Sequence, residues 1–249
     1  MEKRSIISSA GLRLAVLRNI PSTEMSHILI ACHGFRGGKE NAGKITLLAE
    51  KLAQIRIGLV AFDFEGSGES EGEFSHLTIS KQAQNLKNVI QAVYAEYKLP
   101  IILLGRSLGG TTVLAGGTDE DVVGAYILWS TPVQLRETFS KIMGDAYNQM
   151  ENGNALLIRD ENGAFRLEPD FIQDFSNHNM NKYFEQIGNR PVLVIHGQSD
   201  EIVKPINATG IGQAINHASI NIIEGADHRF SGQEEHRMDL TVQWLKENI

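Results

Sequence analysis

The sequence predicts a single α/β fold in which a mostly parallel central sheet is covered by helices on both faces. Short apolar runs alternate along the chain with longer helical patterns, and this alternation is typical of parallel sheets covered by helices. One run, residues 100–105, is apolar throughout, as expected for a central strand that is buried on both faces. The length of 249 residues and the hydrophobic content of 42% are sufficient for one sizeable core.

The apolar runs and the helical patterns predict the elements in chain order. Strands are expected at residues 12–17, 27–33, 58–63, 100–105, 122–129, 191–197 and 219–224. Helices are expected at residues 42–54, 79–97, 107–115 and 233–247. In the first of these helices Leu47, Leu48 and Leu52 share one face, which is the pattern of an amphipathic helix.

Residues 131–190 interrupt the alternation. The segment is rich in Asn and contains a predicted hairpin, in which residues 156–159 pair with residues 164–167 across a turn at residues 160–163. We interpret the segment as a small cap inserted into a core formed by residues 1–130 and 191–249. Its apolar side chains either cover a pocket or attach the cap to the core: Phe139, Ile142, Met143, Tyr147, Met150, Phe171 and Phe175.

The charge and the cysteine content exclude several classes of function. The net charge is −7, and the 23 basic residues are scattered among 30 acidic ones, so a surface that binds nucleic acid is not expected. The single cysteine, Cys32, excludes an intramolecular disulfide and a metal site built on cysteines. Arg13 and Arg18 interrupt any signal-peptide core, and no apolar run is long enough for a membrane span. We expect a cytoplasmic monomer or homodimer.

The stretch from Gly105 to Gly109 matches the pattern G-x-S-x-G. It follows the buried strand and precedes a helix, a context in which the serine lies on a sharp turn that exposes its hydroxyl. The helix N-terminus also provides partial positive charge for an anion that develops there. The motif therefore predicts Ser107 as a nucleophile, although a serine in a glycine-rich turn can also serve only as a helix cap.

A serine hydroxyl is a weak nucleophile without a neighbouring base. Among the eight histidines, His228 follows the last predicted strand, at the same sheet edge as Ser107. His33 and His196 each precede a glycine, and we expect backbone contacts to orient them. The remaining histidines are expected at a strand start or on the surface: His27, His76, His178, His217 and His236.

The base needs a carboxylate that orients its ring. Asp200 follows the strand predicted at 191–197, and the chain order serine, aspartate, histidine is a known arrangement of such triads. Glu201 is the obvious alternative and Asp227 a weaker one. Backbone N–H groups are also needed to bind an oxyanion, and we assign this role to Leu108 and to Phe35, whose ring is expected to line the pocket. The neighbouring Arg36 is expected as a solvated loop residue rather than a ligand for an anionic substrate.

The motifs together resemble those of the α/β hydrolases. The chain is most similar to compact bacterial esterases, which include cinnamoyl and feruloyl esterases, with similarity to the serine aminopeptidase-like branch. Arg106 stands where relatives often have histidine, and Glu65 where many have arginine. The stretches that carry the resemblance are His33 to Phe35, Asp63 to Ser70, Gly105 to Gly110, His196 to Asp200 and Gly225 to His228.

This resemblance implies a serine hydrolase that cleaves small-molecule esters. The insertion is less apolar than a lid for long acyl chains, so short-chain or aromatic acyl groups are expected. No metal or organic cofactor is implied. A peptidase or amidase, a thioesterase and a non-catalytic small-ligand binder remain alternatives, because one fold can host many chemistries.

Overall fold

The centre of the fold is an eight-stranded sheet. The computed structural model describes residues 1–21, 24–160 and 163–249. The strands are β1 (Glu2–Ile7), β2 (Arg13–Asn19), β3 (His27–Cys32), β4 (Ile57–Phe62), β5 (Ile101–Arg106), β6 (Val123–Trp129), β7 (Leu156–Asp160), β8 (Gly163–Leu167), β9 (Val192–Gly197) and β10 (Ser219–Ile223). The order in the eight-stranded sheet is β1-β2-β4-β3-β5-β6-β9-β10. Strands β7 and β8 form a separate antiparallel pair.

Six neighbouring strands of the sheet, from β4 to β10 across it, are parallel, and β1 and β2 add an antiparallel edge. The expected central strand is confirmed as β5, whose first five residues are buried. Because the six parallel strands all end at one edge of the sheet, the loops that follow β3, β5, β9 and β10 meet there.

Helices cover both faces of the sheet, as predicted. They are α1 (Ile45–Ala53), α2 (Ile79–Tyr97), α3 (Leu108–Gly117), α4 (Leu135–Met143), α5 (Asp145–Glu151), α6 (Asp170–Gln173), α7 (Met180–Ile187), α8 (Ile206–Ala214) and α9 (Glu234–Asn248). Helices α2, α3, α7 and α8 contribute to one apolar cluster, and α1 and α9 contribute to another on the opposite face. Within the described residues no helix combines the length and apolarity that crossing a bilayer requires.

Helices α2 and α1 show what the local sequence pattern predicts correctly and what it does not. Helix α2 has the bounds that its pattern predicts. At its start, the Thr78 Oγ1 accepts a hydrogen bond from the Lys81 N–H and caps the first turn. In α1, Leu48 and Leu52 are buried as expected, but Leu47 is 36% exposed. The prediction that all three leucines share the buried face was therefore wrong for Leu47.

Outside residues 131–190, one strand and one α-helix were not predicted. Strand β1 is mostly exposed and carries charged residues, so it lacks the apolar pattern of the inner strands; charged side chains are common on edge strands. Helix α8 contains two glycines, which are poor helix formers, and its inward-facing residues stabilise it by packing.

Residues 131–190 contain α4 to α7 and the β7–β8 hairpin. The predicted hairpin pairing is confirmed, with Leu156 opposite Leu167, although Glu161 and Asn162 of its turn lie outside the described residues. Five of the seven apolar side chains that the sequence singled out are buried in one cluster with Leu108, at the start of α3: Phe139, Tyr147, Met150, Phe171 and Phe175.

A polar cluster also ties this segment to α2. The Asp174 carboxylate accepts hydrogen bonds from the backbone N–H and the hydroxyl of Ser80, at 2.9 and 2.6 Å. Its Oδ2 is also 2.9 Å from His178 Nε2. The His178 side chain is only 5% exposed, so the expectation that it is an ordinary surface residue was wrong.

The turn between β5 and α3 has no space for a side chain at Gly105. A Cβ atom there would lie 2.4 Å from the Gly109 carbonyl oxygen and 2.4 Å from the Gly110 Cα. We expect Gly105→Ala to lower the free energy of unfolding by at least about 2 kcal/mol, because backbone atoms must move to admit the methyl group. Urea unfolding measures the change.

Gly210→Ala is the matched control, because a Cβ atom at this position in α8 meets nothing within 4 Å. Alanine is the better helix former, so this change should raise the free energy of unfolding by about 0.5–1 kcal/mol. If Gly105→Ala were as stable as the wild type, the packing described for the turn would be contradicted.

Candidate active site

Ser107 occupies the turn between β5 and α3 with φ 52° and ψ −127°. A positive φ is uncommon for any residue other than glycine and is maintained only where the surroundings require it. Here the Ser107 N–H donates to the Trp129 carbonyl at 2.8 Å, and the Gly110 N–H donates to the Ser107 carbonyl at 2.8 Å. These bonds fix the turn and leave the Ser107 side chain at the wall of a cleft.

Ser107, His228 and Asp200 form one hydrogen-bonded chain. Ser107 Oγ lies 3.1 Å from His228 Nε2, and His228 Nδ1 lies 2.8 Å from Asp200 Oδ2. Because an ionised carboxylate only accepts hydrogen bonds, the Nδ1–H donates to Asp200 and Nε2 is left to accept the Ser107 hydroxyl proton. The structure thus brings together the three side chains that the sequence selected as nucleophile, base and acid.

Asp200 is 1% exposed, and both oxygens of its carboxylate have polar partners. Its Oδ1 accepts hydrogen bonds from the N–H groups of Ile202 and Val203, at 3.0 and 2.7 Å, and its Oδ2 lies 3.3 Å from His196 Nε2. Burial alone would raise its pKa, but the adjacent His196 and His228 rings outweigh burial and hold the pKa well below its usual range. The carboxylate is therefore ionised at neutral pH.

The alternative carboxylates bond elsewhere. Glu201 accepts a hydrogen bond from the backbone N–H of His228 at 3.4 Å, and Asp227 accepts one from the Ser231 N–H at 2.8 Å. Neither of these bonds involves the imidazole ring of His228. The geometry therefore favours Asp200 over both alternatives as the partner of that ring.

The two histidines that precede glycines are oriented by backbone groups, as predicted. His33 Nε2 accepts a hydrogen bond from the Phe64 N–H at 3.2 Å, so its Nδ1–H donates to the Gly34 carbonyl at 2.8 Å. Burial lowers the pKa of His33, which agrees with a neutral ring. His196 Nε2 lies 2.8 Å from the Val203 carbonyl and donates its proton there.

The loop after β3 lies directly beside Ser107. A Cβ atom on Gly34 would be 3.1 Å from Ser107 Cβ and 3.7 Å from Ser107 Oγ. Phe35 follows Gly34 and Leu108 follows Ser107. The backbone N–H groups of these two residues donate no hydrogen bond within the described part of the chain. Two backbone donors near Ser107 are thus available to a ligand.

The cleft in front of Ser107 has a volume of about 990 Å³. Residues 131–190 supply part of its wall through Pro132, Thr138, Phe139 and Ile142. The ring of Phe35 lines the cleft as well and stacks on Phe171 at a centroid distance of 5.6 Å. The wall is therefore partly aromatic.

Several cationic side chains in the cleft were missed or misjudged from the sequence. Arg229 and Arg237 line it, but nothing in the sequence around either residue indicated that it faces a cleft. Arg36, expected as a solvated loop residue, instead has its guanidinium carbon 3.9 Å from the centroid of the Phe165 ring.

Cys32 does not offer a competing nucleophile. Cys32 is 2% exposed, and burial strongly raises its thiol pKa, so it lacks the thiolate that a cysteine nucleophile needs. Over the described ranges of the chain, no three His, Cys, Asp or Glu side chains converge as metal ligands would.

Comparisons with known proteins agree with this architecture. A family model described as serine aminopeptidase, S33, matches residues 23–159. The uncharacterized protein YfhR of Escherichia coli O157:H7 is 27% identical over 188 residues, which are 74% of this chain and 56% of that protein. The mitochondrial palmitoyl-protein thioesterase ABHD10 of Mus musculus is 23% identical over 217 residues, 84% of this chain and 72% of that protein. The chain thus spans little more than half the length of YfhR.

Among solved structures, Est1E from Butyrivibrio proteoclasticus with bound ferulic acid is similar at a TM-score of 0.82 and 20% identity, over 98% of each chain. The esterase domain of a Rhodothermus marinus protein is similar at a TM-score of 0.72 and 22% identity, over 99% of this chain and 98% of that one. These likenesses confirm the α/β-hydrolase fold.

The ionised Asp200 makes stability depend on pH. Because its pKa is lowered in the folded chain, its contribution to stability is present above the unfolded pKa of about 4 and is lost as the pH falls below that value. We expect Asp200→Asn to lower the free energy of unfolding by about 1–3 kcal/mol at pH 7. The loss should shrink progressively below about pH 4, as urea unfolding over a pH series would measure.

Glu201→Gln is the control, because Glu201 is the neighbouring carboxylate and is exposed. This substitution should change the free energy of unfolding by less than about 0.5 kcal/mol, both at pH 7 and at acid pH. An equal loss for Asp200→Asn at pH 7 and at acid pH would contradict the ionised, hydrogen-bonded state of Asp200.

Proposed function

The chain belongs to the serine aminopeptidase S33 family of α/β hydrolases, and on that basis we propose that it is a serine carboxylesterase for short-chain or aromatic acyl esters. The observation that carries this proposal is the hydrogen-bonded chain from Ser107 Oγ through the His228 ring to Asp200. These two hydrogen bonds have the geometry that activates a serine hydroxyl for attack on a carbonyl carbon.

In the proposed reaction, Ser107 Oγ attacks the ester carbonyl carbon while His228 Nε2 accepts the hydroxyl proton. The negative charge of Asp200 stabilises the imidazolium that forms and holds the ring in orientation. The tetrahedral intermediate then collapses, the C–O bond to the alcohol breaks, and the alcohol leaves with the proton from His228. A water molecule cleaves the acyl-enzyme by the same route and regenerates Ser107.

The oxyanion is assigned to the backbone N–H groups of Phe35 and Leu108. Two observations support this assignment. Neither group donates a hydrogen bond within the described residues, and Gly34, which precedes Phe35, is so near Ser107 that a Cβ atom on it would lie 3.1 Å from Ser107 Cβ. Leu108 also begins α3, so the helix N-terminus adds partial positive charge at this point. One such donor contributes roughly 10²–10³ to the rate of acyl transfer.

The preference for short-chain or aromatic acyl groups rests on the walls of the cleft. Phe35, Phe139 and Ile142 line it, and its volume of about 990 Å³ is suited to a small molecule. We propose that residues 131–190 act as a cap that selects substrates, because part of this wall belongs to α4. The ferulic acid bound to Est1E is an example of an aromatic acyl group on the same fold.

A thioesterase is the second candidate. The Mus musculus relative named as a palmitoyl-protein thioesterase aligns with 84% of this chain, and a Ser-His-Asp chain can also attack a thioester. The family description names an aminopeptidase, so amide substrates belong in the same comparison.

The nucleophile is tested by Ser107→Ala on p-nitrophenyl butyrate. We expect kcat to fall by at least about 10³, because the substituted residue has no oxygen to attack the ester. Ser199→Ala removes the same hydroxyl from an exposed serine on the loop after β9 and should leave kcat unchanged. Equal activity of the wild type and Ser107→Ala would refute the proposed mechanism.

The scissile bond is tested with phenyl butyrate, S-phenyl thiobutyrate and butyranilide. These substrates share the acyl chain and the ring and differ only in the atom that leaves. After each kcat/KM is divided by the rate of uncatalysed hydrolysis, we expect the ester to exceed the other two by at least about tenfold, or 1.4 kcal/mol of transition-state binding. A higher value for the thioester would replace the esterase with a thioesterase.

A further inference from the structure

The cleft at Ser107 is cationic, although the whole chain has a net charge of −7. Its charged lining within the described residues consists of five cations and one anion: Arg36, Lys44, Arg106, Arg229, Arg237 and Glu201. Lys44 forms an ion pair with Glu234, and the Arg36 guanidinium stacks on the Phe165 ring. The remaining cations of the cleft are Arg106, Arg229 and Arg237.

Arg237 lies in the first turn of α9 and is 1% exposed. Its guanidinium carbon lies 4.2 Å from the centroid of the Trp129 ring and 4.6 Å from that of the Phe230 ring. Its Nε and Nη1 atoms are buried and have no hydrogen-bond partner. A buried cation with unsatisfied donors is costly, and two aromatic rings satisfy none of its directional donors.

Arg106 immediately precedes Ser107 and is half-buried, and its Nε atom is also buried without a hydrogen-bond partner. Burial and the charge of Arg229 lower the pKa of Arg106. Burial and the charge of Arg106 in turn lower the pKa of Arg237. The positive charges of the three arginines thus destabilise one another.

No carboxylate in the described part of the chain lies within ion-pair distance of these three guanidinium groups. Asp200 and Asp227 favour the charged form of Arg106 only from a distance, and Glu234 and Asp227 do the same for Arg237. Asp200 is already hydrogen-bonded to His228 and to two backbone N–H groups. A guanidinium group is suited to binding the oxygens of carboxylate or phosphate. An anion from outside this part of the chain would offer these guanidinium groups the partner that they lack.

We propose that Arg106 and Arg237 form an anion-binding subsite beside Ser107, with the exposed Arg229 at its rim, and that the substrate is an ester bearing an anionic group. The proposal rests on the proposed esterase function and specifies its substrate class. The anion would satisfy the buried Nε and Nη1 donors and relieve the repulsion among the arginines. It would thereby orient the ester carbonyl toward Ser107 Oγ.

The test compares p-nitrophenyl hexanoate with two chain-matched anionic esters, mono-p-nitrophenyl adipate and p-nitrophenyl 5-phosphonopentanoate, at constant ionic strength. A second pair, methyl 4-acetoxybenzoate and 4-acetoxybenzoate, places the anion on the alcohol side. We expect at least one anionic ester to exceed its neutral partner in kcat/KM by about 10- to 100-fold, as charge-assisted hydrogen bonds allow. The better of the first two anionic esters identifies the anion as carboxylate or phosphate-like.

Arg237→Met keeps an apolar side chain between Trp129 and Phe230 and removes the charge. It should lower the ratio of anionic to neutral kcat/KM by at least about tenfold while the neutral ester is still hydrolysed. Arg106→Gln should do the same and serves if Arg237→Met fails to fold. Lys81→Gln removes an exposed charge on α2 and should leave the ratio unchanged. If hydrolysis depends on Ser107 but no pair shows a preference for the anionic ester, the proposed subsite is contradicted and the proposed esterase function stands.

If no ester is hydrolysed, the esterase proposal fails and the subsite is tested by binding. Disodium adipate should then raise the melting temperature of the wild type above that in sodium chloride of equal ionic strength, and the shift should disappear in Arg237→Met. No shift in the wild type would overturn the subsite as well.

Discussion

The close approach of β5, α3 and the loop after β3 is the constraint on which the site depends. A Cβ atom on Gly109 would lie 2.4 Å from the carbonyl oxygens of both Cys32 and His33, so only glycine permits the helix to begin this near the sheet. Because α3 begins there, Ser107 must adopt a positive φ, and its side chain is held at the cleft wall. The position of Ser107 Oγ relative to His228 follows from this backbone packing.

A second close contact positions the other two residues. A Cβ atom on Gly197 would lie 2.3 Å from the Ala226 carbonyl oxygen, and the Ser199 N–H donates to that same oxygen at 2.9 Å. The loops after β9 and β10 are therefore packed directly against each other. Asp200 lies on the first of these loops and His228 on the second, so their 2.8 Å contact depends on the backbone as well as on the two side chains.

Local sequence patterns predicted part of the fold and of the candidate site. The bounds of α2 and the central strand were recognisable because capping and continuous apolarity are local properties, and the candidate triad was recognisable because each residue follows a predicted strand. Strand β1 was missed because it is mostly exposed and lacks the apolar pattern of the inner strands. The individual helices of residues 131–190 were missed because they are short and their buried residues pack in a cluster that only the tertiary structure shows. Arg237 was missed for the same reason, since only the tertiary structure shows that this helical arginine is buried beside aromatic rings and faces the cleft.

The central claim is that Ser107 is a nucleophile activated by His228, and covalent labelling tests it most directly. The wild-type protein would be treated with a fluorophosphonate probe, and the modified residue would be located by peptide mass spectrometry. The account predicts one adduct on Ser107, absent from Ser107→Ala and formed much more slowly in His228→Ala. An unlabelled wild-type protein, or an adduct whose rate does not depend on His228, would contradict it.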